Sequence, residues 1–119
     1  MPETLDRYDL RFEVGPSLTL RLGHLPLKVV LHAGKPGELI IIPPLYRPLR
    51  RQITVIQPRP SEFILEGFTR HGLMTLVNEV CIFVPPSLQL VTAVRCPMVV
   101  ASGPEFPVEL DGASFIRFG

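Results

Sequence analysis

Three histidines, two cysteines and eleven carboxylates are the side chains of this chain that could hold a metal or move a proton. His24, His32 and His71 stand in no HxH, HExxH or CxxC context. A metal site would need ligands converging from distant segments, so these read as surface or turn histidines and no metal is expected. Cys81 and Cys96 lie in "VCIFV" and "RCPMVV". Apolar neighbours predict buried, reduced thiols, which are weakly acidic and inert. Whether strands align the two for a disulfide is not readable from spacing.

Glu105, Glu109 and Asp111 cluster in "PEFPVELDG". Two residues apart, Glu109 and Asp111 share a face if that segment is a strand. Paired carboxylates can do acid/base work or bind a cation, but they also form the solvated face of an edge strand, and that is the reading adopted. Ser102-Gly103-Pro104 lacks the flanking glycines of a nucleophile elbow, and no glycine-rich phosphate loop occurs. The expectation is a protein without catalytic residues, metal or cofactor.

The strongest local signal is basic. Arg47, Arg50 and Arg51 follow Tyr46, and Arg59 comes eight residues later. Arginine suits bidentate contact with carboxylate or phosphate, and arginine and tyrosine are enriched at protein interfaces. Tyr46, Arg47, Arg50, Arg51 and Arg59 are therefore the candidate partner-binding residues, with another protein as the partner. The formal net charge is only +1, from 12 basic and 11 acidic residues. No general field draws nucleic acid or membrane, so single-strand nucleic-acid binding through this loop is an alternative that rests on the local patch alone.

These residues must be placed by strands. Fourteen prolines and nine glycines are spread along the chain and leave little room for helices. In "DLRFEV", Leu10, Phe12 and Val14 alternate with Asp9, Arg11 and Glu13; in "SLTLRL", Leu18, Leu20 and Leu22 take one face. Such period-two alternation marks half-buried strands. "LKVVLH", "ELIII" and "VCIFV" are continuously apolar and predict strands covered on both faces, in a sandwich core or an interface. "QITVI", "EFIL", "LQLVTAV", "PMVVA", "VEL" and "SFIRF" bring the total to roughly ten. The expected fold is a single all-β domain over residues 1–119, a sandwich or jelly roll. Thr69 to Val80 is the one stretch with helix character, capped by Thr69 but weakened by Gly72, Val77 and Val80.

"ELIIIPPL" and "EVCIFVPPSL" echo one another. In each, a proline pair that cannot donate to a ladder ends an aliphatic strand. The echo predicts two core strands stopped at the same end of a sheet.

Charged residues make up 19% of the chain, below the usual ~25%, and the mean hydropathy is positive. A domain this small cannot hide that much apolar surface alone, which points to association with copies of itself. The N-terminal "MPETLDRYDL" has no apolar core of the signal-peptide kind, and no stretch approaches ~18 apolar residues. An intracellular protein without a membrane-spanning helix is expected.

"VVLHAGKPGELIII" resembles the nucleoplasmin and nucleophosmin core domain, in which a V-x-L strand, a small-residue turn and E-L-x-I follow one another. "SGPEFPVELDGASF" resembles that family's closing strand, with Glu105 to Pro107 inserted. The family's aromatic-Gly-Cys opening strand and its acidic tracts are missing. This resemblance implies a pentamer-forming jelly roll. "VCIFVPPSLQLVTAVRCPM" is similar to the strand, proline corner and arginine-bearing strand of the dUTPase-like group. Its Arg-Ser-Gly-Leu motif would be Arg95-Cys96-Pro97-Met98 here, without serine or glycine. That resemblance implies a nucleotide-binding β-barrel stripped of catalysis. The expected function is a homo-oligomeric, non-enzymatic β module that binds protein in a structural, assembly or chaperone-like role, with a dUTPase-like protein as the alternative.

Overall fold

The computed structural model describes residues 3–4, 9–23, 25, 27–44, 53–67, 79–94, 96, 98–102, 106–110 and 116–118. Twelve strands run through them: β1 (Glu3–Thr4), β2 (Leu10–Glu13), β3 (Leu18–Gly23), β4 (Lys28–Ala33), β5 (Glu38–Ile42) and β6 (Ile53–Arg59), then β7 (Glu62–Gly67), β8 (Glu79–Val84), β9 (Leu88–Val94), β10 (Met98–Ala101), β11 (Val108–Leu110) and β12 (Ile116–Phe118). They form two sheets. Sheet A has the order β1-β6-β7-β3-β9-β11, and sheet B has the order β12-β10-β4-β8-β5-β2. No helix occurs among the described residues. The all-β sandwich expected from the alternating segments is the architecture found.

Its connectivity is set by a repeated step. β3–β4, β7–β8, β9–β10 and β11–β12 are each a strand of sheet A followed by a strand of sheet B. The four pairs stack in one order, β7-β3-β9-β11 in sheet A and β8-β4-β10-β12 in sheet B, and every contact between them is parallel. Parallel neighbours need a crossover between them, usually a helix. Here a strand of the opposite sheet does that work, so each turn of the chain adds one strand to both sheets. This differs from the antiparallel succession of a jelly roll. Antiparallel pairing is confined to the other flank, where β5 joins β8, β2 joins β5, β6 joins β7 and β1 joins β6.

The core lies between the sheets. Leu18, Leu20 and Leu22 of β3, with Phe63 and Leu65 of β7, face Leu31, Ile41 and Ile82 of sheet B, all fully buried. Each such side chain contributes roughly 1.5–3 kcal/mol by leaving water. Phe12 of β2 meets Phe63 of β7 at 5.0 Å between ring centroids, tilted by 56°, and so ties the two layers together. This is the period-two pattern of "DLRFEV" and "SLTLRL" carried into three dimensions.

Two expectations are corrected. The proline pairs do end core strands, and Pro43, Pro44 and Pro85 are buried. But β5 and β8 are antiparallel neighbours, with Ile42 opposite Cys81 and Ile40 opposite Phe83. Their proline pairs therefore stop the ladder at opposite ends of the sheet. The alternative of a sandwich core for both faces is also corrected: within one chain β4, β5 and β8 are covered on one face only. Their burial alternates, with Val29, Leu31, Leu39, Ile41, Val80 and Ile82 inside. The outward residues between these are half-buried, and Ile42 is 37% exposed. An unbroken apolar run met only one layer to pack against.

The turn Lys35-Pro36-Gly37-Glu38 enters β5 with Gly37 at φ 77°. Proline then glycine at the two central positions is the signature of a type II turn, whose third residue needs positive φ. Residues 69–78 of the stretch read as a possible helix lie outside the described residues, while Glu79 and Val80 begin β8.

Candidate protein-binding face

The outer surfaces of the two sheets differ in chemistry. Residues aligned across neighbouring strands form rows. On sheet A each outward row carries charge: Glu66 beside Thr54, Arg21 and Glu109 either side of Thr92, and Glu62 beside Thr19. On sheet B two rows carry none across the four central strands, and charge enters them only on the edge strands, where register sets Arg11 of β2 opposite Ile40 and Arg117 of β12 opposite Val100. Ile42, Cys81, Val30 and Val100 are aligned across β5, β8, β4 and β10, and Ile40, Phe83 and His32 form the next row. The His32 ring stacks on Phe83 at 4.8 Å with 20° between planes. The sequence expectation of a turn or surface position for His32 is refined: it is a half-buried strand residue inside an apolar patch.

Charges flank this patch at two opposite corners. Arg11 Nη1 donates to Glu38 Oε1 at 3.1 Å, and its Nε donates to Asp9 Oδ2 at 3.1 Å. The two carboxylates, Asp9 first, hold the guanidinium more firmly protonated than usual. At the other corner Lys28 Nζ lies 3.6 Å from Glu79 Oε2. Both pairs are partly exposed and screened by solvent, so they contribute little to folding. Their weight is in what they present to a partner.

Cys81 is the patch residue next to this second pair on β8. It is half-buried and outward-facing, not enclosed as its apolar neighbours suggested. Its Sγ points to Glu79 Oε1 at 3.9 Å. Loss of solvent pushes the thiol's pKa up, and the Glu79 carboxylate pushes it further in the same direction. Cys96 is buried, and its Sγ donates to the Leu22 carbonyl at 3.6 Å. Both are thiols.

Of the remaining sequence candidates, Arg59 and Glu109 are among the described residues. Tyr46, Arg47, Arg50 and Arg51 lie outside the described residues, as do His24, His71, Glu105 and Asp111. Arg59 is exposed and ends β6 at the β6–β7 hairpin. Glu109 is exposed on β11, an edge strand of sheet A, as its spacing implied. Among the described residues no three of His, Cys, Asp and Glu group as a metal site, and no helix is long and apolar enough to cross a membrane.

A cleft of about 300 Å³ opens at one end of the sandwich between Ala33, Gly34, Val84, Pro85, Phe106 and Pro107. Among the described residues no titratable side chain lines it. The patch on sheet B has a signal that sequence carries only in part. Continuous apolarity in three strands marked them, but which residues face out depends on pairing. No protein-family model, curated protein or solved structure matches this chain.

Proposed function

We propose that this protein works without catalysis, as a homo-oligomeric β-sandwich module that binds protein in a structural, assembly or chaperone-like role, and that the outer face of sheet B is the surface it uses. One observation carries this reading. Two adjacent rows across the centre of sheet B present Ile40, Ile42, Val30, Val100, Phe83 and Cys81, with His32 the one polar ring among them. Sheet A interrupts every outward row with charge. A solvent face of an antiparallel or mixed sheet is ordinarily polar, and contiguous apolar patches mark interaction sites. The low charged fraction noted in the sequence is thus concentrated on one side.

Multi-angle light scattering tests it. The chain is expected to elute at a multiple of its 13.3 kDa mass at micromolar concentration. Val30→Asp, which places a charge mid-patch without entering the core, should return it to the monomer mass with its fold intact by circular dichroism. A wild-type chain that stays monomeric to high micromolar concentration, or a Val30→Asp variant that associates as the parent does, overturns the reading.

A further inference from the structure

The two ion pairs that flank the patch are arranged to complement each other. Across sheet B the strand order is β2, β5, β8, β4. Arg11 and Glu38 lie on β2 and β5, in the order plus then minus; Glu79 and Lys28 lie on β8 and β4, in the order minus then plus. Glu38 is one outward position beyond the Ile40–Phe83–His32 row. Glu79 and Lys28 are one outward position before the Ile42–Cys81–Val30 row.

Register alone fixes the midpoints. β5 and β4 flank β8, so the point halfway from Glu38 to Lys28 falls on β8, between Cys81 and Phe83. The point halfway from Arg11 to Glu79 falls on β5 near Ile42. With strands ~4.8 Å apart and ~3.3 Å of rise per residue, the line through these midpoints also passes over His32. A two-fold axis along that line lays Arg11 against Glu79 of a second copy, and Glu38 against its Lys28, twice over. It brings Ile42, the most exposed large apolar residue described, onto its own counterpart.

Resting on the binding face proposed above, we infer that its occupant is a second copy of this chain, docked face to face about that oblique two-fold. The charge arrangement selects a copy over an unrelated partner. The two ion pairs at opposite corners of the patch satisfy each other under one symmetry operation, as an isologous interface requires. Complementary rim charges fix register and exclude wrong partners.

Pair reversal tests the geometry. In an Asp9→Asn background, one variant carries Lys28→Glu with Glu79→Lys, and another carries Arg11→Glu with Glu38→Arg. Each keeps its net charge and its internal ion pair, so each should fold as its parent does by circular dichroism. Each is expected to self-associate roughly tenfold or more weakly by analytical ultracentrifugation, because like charges now meet across the axis. An equimolar mixture of the two should recover parental affinity, since every contact is then between opposite charges. Variants that associate as the parent does, or a mixture that fails to recover, overturn the two-fold arrangement. If Val30→Asp still dissociates the chain in that event, the face stands and only this docking falls. If Val30→Asp has no effect, the face and the docking fall together.

Discussion

Cys81 shows how a single position can be misjudged from its neighbours. Flanked by Val80 and Ile82 it reads as a core residue, but those two point inward and so turn Cys81 out. Its thiol is then controlled by partial burial and by Glu79, both of which disfavour the thiolate. Removing the carboxylate removes one of these opposing effects. Under conditions where the chain is monomeric, Cys81 should react with a disulfide reagent at pH 7.5 several-fold more slowly than a free model thiol. Glu79→Gln should speed that reaction. A rate indifferent to Glu79→Gln would show that the carboxylate does not act on the sulfur. The residues doing chemistry in the sequence were individually legible as types. What was not legible was their direction, because direction alternates with every residue along a strand. His32 likewise could be recognised as isolated from metal-binding motifs, but not as the ring stacked on Phe83.

At the scale of elements, most strands could be placed from alternation and punctuation, since leucine and proline spacing act locally. β2 and β3 follow their alternating segments closely, and β8 and β9 flank the second proline pair as expected. The turn before β5 is equally local. Pro36 presets one central residue and Gly37 supplies positive φ for the next. Gly37→Ala should therefore destabilise the fold by about 1 kcal/mol, the cost of a left-handed conformation with a Cβ. Gly15→Ala meets no atom within 4 Å and has no positive φ, so it is the matched control. Urea denaturation of both variants reads the difference, and equal midpoints would remove the turn from the account. The short β1 had no such signal. Two residues beside β6 are made a strand by the ladder they complete, not by their own pattern.

At the scale of the molecule, stacking order is what makes the fold unusual for an all-β chain. β3 sits between β7 and β9, so Leu18 of β3 is in register with Leu88 of β9, on the far side of most of the chain. Such pairings must close long loops before they reward the chain with contacts. Folding should accordingly be slow for this size, in milliseconds to seconds, as for other domains dominated by non-local pairing. Stopped-flow refolding from urea measures it, and a microsecond phase carrying the full amplitude would contradict the topology. Association belongs to this scale too. Surplus apolarity was visible in composition, yet only the assembled sheet collects Ile42, Cys81, Val30 and Val100 into one row from four separate segments.

The sequence by itself determined that this chain is built from strands, where most of them start and stop, and that its composition is apolar for its size. These follow from forces that act between near neighbours: side-chain alternation, the missing proline N–H, the freedom of glycine. Tertiary structure alone decided that the crossovers are strands of the opposite sheet, that the two proline pairs stop their ladder at opposite ends, and that two rows without charge on the four central strands lie together on the outside of sheet B. Those outcomes depend on which strand lies beside which, and that choice is made by packing between residues far apart in the chain.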